Sequence, residues 1–164
     1  MLAALLSTSC TNNSSTASGG TDTLTQNKAF VTRMETAFSG GDTAAIDSGM
    51  TAGFIDHQPG PNMPGTAAQK VNAAMRMFRS AFPDGKTEIK AITAEGNLVS
   101  VFATFSGTNS GSLMGMLAIN KMVSMDFADV FRIENGKVAE HWGVMDMSPM
   151  MSAADSDKKK DKMN

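Results

Sequence analysis

Asn135-Gly136 constrains this chain more than any other pair of residues. It stands between two runs rich in apolar, β-branched and aromatic residues, 121–133 and 138–147. Asn-Gly supplies the positive φ angles of a type I′ turn, so the two runs form a tight hairpin. With a two-residue loop, Glu134 pairs with Lys137 and the register of both strands follows. Ile133 then faces Val138, Phe131 faces Glu140, Asp129 faces Trp142, Phe127 faces Val144 and Met125 faces Asp146. Direct partners project to the same side of a sheet. One side therefore carries Phe127, Phe131, Ile133, Val138, Trp142 and Val144, together with Asp129 and Asp146. The other carries Ala128, Val130, Arg132, His141, Gly143 and Met145. The first side is the more apolar and is expected to meet the rest of the core, leaving His141 outside.

The residues before the hairpin divide into a helical half and a second pair of strands. Phe30, Val31, Met34, Ala37 and Phe38 recur at helical spacing over 26–39, and Gly40-Gly41 ends that helix. Asp42 caps a short second helix through Ile46. Phe54 to His57 reads as a short strand, and the proline- and glycine-rich stretch 58–65 as a loop. Thr66 caps a third helix whose apolar face is Val71, Ala74, Met75, Phe78 and Phe82, and Pro83 stops it. The period then changes. Residues 87–94 alternate, with Ile89, Ala91 and Thr93 on one face; Glu95-Gly96-Asn97 turns the chain, and 98–106 is a further strand. Residues 107–117 are rich in glycine and serine and form a rim loop. Helices followed by an antiparallel meander predict an α+β fold: three N-terminal helices packed on one face of a curved antiparallel sheet.

Two carboxylates on an apolar face require an explanation. A buried carboxylate is costly unless it is paired, hydrogen-bonded or protonated, and desolvation raises its pKa toward the range useful to a general acid or base. Asp129 and Asp146 are thus candidate catalytic or ligand-binding acids. A structural reading stands beside this one, with Asp146 wet at a strand end and Asp129 bonded to a helix group. His57, at a strand end beside the proline-rich loop, is a candidate proton shuttle. Phe127, Phe131, Trp142 and Val144 would form the pocket wall. No clustered His/Cys set suggests zinc, and no phosphate loop or dinucleotide fingerprint is present. A net charge of -2 argues against a nucleic-acid partner. The 15 methionines are flexible, polarizable gap-fillers and would make such a pocket apolar and adaptable.

The single cysteine, Cys10, excludes an internal disulfide. It follows an apolar run, Leu2 to Leu6, and three small residues, and precedes a Thr/Asn/Ser/Gly stretch that cannot bury enough apolar surface to order itself. This arrangement resembles a bacterial lipoprotein signal, although no basic residue precedes the apolar run. The expected organisation is a signal over 1–9, a flexible linker over 10–24, the folded domain over 25–148 and a disordered tail over 149–164. Lipidation of Cys10 would place the protein at the cell envelope through a membrane anchor; a cytoplasmic protein is the alternative.

An ordered set of segments resembles the SnoaL-like polyketide cyclase (ester cyclase) family of the nuclear transport factor two-like superfamily. The segments are Phe54-Ile55-Asp56-His57-Gln58-Pro59, Ala81-Phe82-Pro83-Asp84, Ala94-Glu95-Gly96-Asn97, Ser106-Gly107-Thr108-Asn109-Ser110-Gly111 and Arg132 to Trp142, with Asp146. The resemblance implies a cone-shaped, cystatin-like curved sheet closed by three helices, a homodimer, and acid/base chemistry without metal or cofactor. The reaction implied is an intramolecular aldol closure driven by a last-strand aspartate, the position of Asp146. Asn109 stands at a rim position where many members carry histidine and is a candidate binding residue. Two functions remain open. One is an enzyme acting on a small apolar carbonyl compound, in which Asp146→Asn abolishes turnover. The other is a non-catalytic module that binds an apolar ligand or dimerises.

Overall fold

The computed structural model describes residues 17–58 and 64–161. Its elements are α1 (Ala17–Gly40), α2 (Thr43–Gly49), β1 (Met50–Asp56), α3 (Ala67–Ala81), β2 (Lys86–Glu95), β3 (Leu98–Thr108), β4 (Met122–Glu134), β5 (Lys137–Met145) and α4 (Ser148–Asp161). The expected caps are present. Asp42 accepts from the Ala45 N–H at 3.0 Å. Thr66 and Gln69 close a reciprocal capping box at the start of α3. Asn135 and Gly136 both have positive φ, 51° and 72°, as a type I′ turn requires.

The strands form one five-stranded sheet in the order β1-β5-β4-β3-β2. Neighbours from β2 to β5 are antiparallel, but β1 joins β5 in parallel, so the sheet is mixed rather than wholly antiparallel. α1 lies across β2 and β3, α3 contacts β1, and α2 fills the corner between β1 and β5. Between helices and sheet lies the core, which includes Val31, Met75, Phe82, Val99, Val101, Ala103, Met125, Phe131 and Val138. Burying each of the valine, methionine and phenylalanine side chains contributes about 1.5–3 kcal/mol.

The hairpin register departs from the simple count after its first two pairs. Glu134 pairs with Lys137 and Ile133 with Val138, but Arg132 then pairs with Glu140 and Phe131 with His141. Ala139 is the extra residue of a β-bulge, and Val138 and Ala139 are consecutively buried. One additional residue moves everything after it to the opposite face. His141 and Met145 therefore turn inward, and Trp142 and Val144 turn outward. Lys90 does the same in β2, where Ile89 pairs with Ala103 but Ala91 with Phe102. Ile92 and Ala94, rather than Ala91 and Thr93, consequently share the half-buried side with Ile89.

Both ends of the domain carry more helix than expected. α1 begins at Ala17, within the stretch read as linker. Most of the stretch read as a disordered tail forms α4, where Met150 and Ala153 pack on the core together with Met147 just before the helix, and Met150 is 1% exposed. Cys10, the residues expected to form its signal and the first part of the linker lie outside the described residues. Among the described residues, no helix is long and apolar enough to cross a membrane.

Candidate functional site

A cavity of about 630 Å³ opens between the helices and the inner face of the sheet. Its walls are mainly apolar, with Met34, Phe38, Ile46, Met50, Phe54, Phe78, Phe105, Phe127, Phe131 and Val138 among them. Among the described residues, five methionines line it: Met34, Met50, Met114, Met145 and Met147. The exposed lining residues, Gln58, Lys70, Met114 and Val144, mark its mouth.

With Lys70 of α3 out at the mouth, four further titratable side chains from four elements converge inside this cavity: Glu35 of α1, Asp56 of β1, Asp129 of β4 and His141 of β5. Parallel pairing sets Asp56 directly beside His141. His141 Nδ1 lies 3.0 Å from Asp56 Oδ1, and its Nε2 lies 3.4 Å from Asp129 Oδ1. The imidazole also stacks on the Phe131 ring, with centroids 5.0 Å apart. The Asp56 oxygen that faces His141 also accepts the Gln58 backbone N–H at 3.1 Å, which fixes the start of the loop after β1. Glu35, only 7% exposed, hydrogen-bonds Asp129 from the helical side.

Electrostatics separates the roles of these groups. Burial alone pushes the His141 pKa down. The hydrogen bonds and negative charges of Asp129 and Asp56 together outweigh burial and push it up to about 9. Burial, reinforced by the charge of Asp129 and only partly opposed by His141, pushes Glu35 up to about 8. At neutral pH the site therefore holds an imidazolium and a neutral carboxylic acid on either side of Asp129. Both nitrogens of the imidazolium are donors, matching its two carboxylate partners. Gly143 makes room for this arrangement. A Cβ there would sit 2.4 Å from Asp129 Oδ1 and 3.1 Å from Gln58 Oε1.

The residues singled out from sequence fall in three places. Asp129, Phe127 and Phe131 line the cavity, and Val144 lies at its mouth with 70% of its surface exposed. Asp146 does not reach it: beyond the Ala139 bulge its side chain is on the outer side, where it accepts the Ser148 backbone N–H at 2.9 Å and leads into α4. Hydrogen bonds from the Ser148 hydroxyl and from its backbone N–H hold the carboxyl below the usual range, the opposite of what burial would do. His57 and Trp142 are also outside, stacked at 4.5 Å. His57 Nε2 meets Glu140 at 2.7 Å, and Glu140 is also held by Arg132. Asn109 is fully buried but spans the rim loop, donating to the Gly111 carbonyl and accepting from the Ile119 N–H.

Sequence reasoning missed Glu35, Asp56 and placed His141 on the wrong face. A signal for Glu35 was available. It lies four residues after Val31 and three before Phe38, within the apolar stripe of α1, where a solvated glutamate does not belong.

The chain matches the description "SnoaL-like polyketide cyclase" over residues 28–154. Among solved structures it is similar to AclR of Streptomyces galilaeus, a proposed hydroxylase, with 28% identity and a TM-score of 0.67 over 78% of this chain and 80% of that one. It is similar to a proposed SnoaL-like polyketide cyclase from Jannaschia sp. CCS1, with 26% identity and a TM-score of 0.68 over 79% and 92%. TsrD of Streptomyces laurentii shares the fold, with 24% identity and a TM-score of 0.70 over 79% and 94%. No curated protein matches the chain in sequence.

Proposed function

Because the chain belongs to the SnoaL-like polyketide cyclase family, we propose that it performs acid/base chemistry on a small, largely apolar carbonyl compound, with Asp129 rather than Asp146 as the base. The observation that carries this reading is the setting of Asp129: a carboxylate between two proton-bearing groups at the wall of an apolar cavity of about 630 Å³. Cavities of this size suit a ligand of drug-like dimensions.

Asp129 removes a proton from the carbon next to a carbonyl. The resulting enolate carbon attacks a second carbonyl of the same molecule, a carbon–carbon bond forms, and the new alkoxide takes up a proton. His141 is a positioning residue. Asp56 holds Nδ1, so that Nε2 stays turned toward Asp129. The apolar walls keep water from competing for the enolate.

Deuterium exchange of the protons next to the carbonyl of 2-decalone, followed by NMR, tests the first step without the natural substrate. Asp129→Asn is expected to lower the enzyme-dependent exchange by about 10²–10⁴-fold, the usual contribution of a general base. Exchange unchanged in that variant would remove Asp129 from the mechanism. A ligand-binding module remains the second reading, and the methionine-lined wall favours it. It predicts 2-decalone affinity that survives Asp129→Asn, with no exchange in either protein.

The homodimer and the membrane tether through Cys10 belong to the same proposal. The tether would hold the cavity at an envelope surface, where apolar compounds concentrate. Incorporation of radiolabelled palmitate into the full chain, abolished by Cys10→Ala, tests it.

A further inference from the structure

We propose that Glu35 is the acid of this site and that the hydrogen bond between Glu35 and Asp129 resets both groups after each turnover. The inference rests on the acid/base reading above and assigns the proton donor which that reading leaves unnamed.

The geometry carries it. Two carboxyl groups hydrogen-bonded to each other hold a proton between them, because two carboxylates have acceptors only. Glu35 reaches Asp129 from α1, across the cavity from the sheet, and lines the same space. The other titratable groups around it are His141 from β5, turned toward Asp129, Asp56 from β1, beyond that imidazole, and Lys70 from α3, out at the mouth. Glu35 is thus buried against another acid. A methionine or glutamine would fill this place in the α1 stripe without that cost. A buried acid whose partner is a second acid, both open to a ligand cavity, is the arrangement expected where a proton is moved.

The proton balance closes inside the pair. The Asp129 carboxylate takes the proton from carbon and becomes a carboxylic acid. The Glu35 carboxylic acid gives its proton to the forming alkoxide and becomes a carboxylate. The proton now on Asp129 passes along the hydrogen bond to Glu35, and both groups return to their starting states. One proton leaves carbon, one arrives on oxygen, and the cycle draws no net proton from solvent. The raised pKa of Glu35 keeps the donor loaded at neutral pH.

The test uses Glu35→Gln and Glu35→Asp in the full chain, with infrared spectroscopy and 2-decalone exchange. Wild type is expected to show a carboxylic-acid carbonyl band at pH 7 that disappears as the pH passes about 8 and is missing from Glu35→Gln. Exchange should fall at least about tenfold in Glu35→Gln while 2-decalone still binds. The alkaline limb of the rate profile should vanish with it, and Glu35→Asp should restore part of the rate. Absence of that band from wild type overturns the inference. So does a Glu35→Gln variant with wild-type rate and an intact alkaline limb. If Asp129→Asn lowers exchange and Glu35→Gln does not, this assignment alone fails. If neither variant lowers it, the acid/base reading fails as well.

Discussion

Gly143 shows how narrow the tolerances around Asp129 are. It sits opposite Asp129 in the register of β4 and β5, and the missing side chain leaves the space that the carboxylate occupies. Gly143→Ala would place a methyl group 2.4 Å from Asp129 Oδ1, so the carboxylate must move. We expect a loss of about 1–3 kcal/mol of stability, the usual cost of forcing an extra carbon into a filled space. The NMR signals of His141 should shift, since its Nε2 faces the displaced oxygen. Chemical denaturation and imidazole chemical shifts check the two effects separately. Asp146→Asn is the contrasting substitution. Its side chain is exposed, and asparagine can keep the hydrogen bond to Ser148. Stability should change by about 0.5 kcal/mol or less, and 2-decalone exchange should remain at the wild-type level.

At the scale of elements, single inserted residues decide what faces the cavity. The Asn135-Gly136 turn and the first two pairs of the hairpin follow directly from sequence, as do the capped helices α2 and α3, because each depends on residues close together in the chain. The bulge at Ala139 does not. Alternation reads smoothly through it, and alanine carries no signal that it is the residue to be skipped. From that point the expected face is inverted, which is why Asp146 and Trp142 read as interior and His141 as exterior. β1 likewise reads as a short strand, and no nearby residue names its partner. Its parallel pairing with β5 is a contact across some 85 residues that local pattern does not encode, and Asp56 entered the site with it. Deleting Ala139 tests the role of the bulge. The variant should pair in an unbroken register that still sets Glu140 opposite Arg132 and His141 opposite Phe131, so His141 should keep facing Asp129 and Trp142 should stay outside. We expect the His141 NMR signals to keep their original environment. A displaced His141 would show that the bulge itself, and not the register after it, seats the imidazole.

The charges of the molecule as a whole set how its stability varies with pH. His141 binds its proton more tightly in the fold, up to about 9 against an ordinary 6.5. The stability it contributes is complete below 6.5 and is lost as pH rises toward 9. Glu35 keeps its proton in the fold up to about 8, whereas the unfolded chain releases it near 4.5. The fold therefore weakens between those values and gains no further penalty above them. Asp84, bonded to Thr108, and Glu140, bonded to His57 and Arg132, act in the opposite sense: both are held low, and their contributions are lost in acid. Resistance to urea should peak in the mildly acidic range and decline steadily toward pH 9. Glu35→Gln should flatten the decline between pH 5 and 8. A profile that rises over that interval would contradict the site electrostatics described here.

The side-by-side seating of β1 and β5 has a consequence for the order in which this molecule becomes competent. Asp56-His57 and Glu140-His141 exchange partners across it, the cavity pair on one face and the solvent pair on the other. Neither pair can form until two distant stretches of chain have met, and closing so large a loop belongs among the slow events of folding. A polypeptide that has already raised its hairpin and collapsed its helices would still lack the Asp56–His141 pair: the cavity wall is complete only when that edge of the sheet is in place.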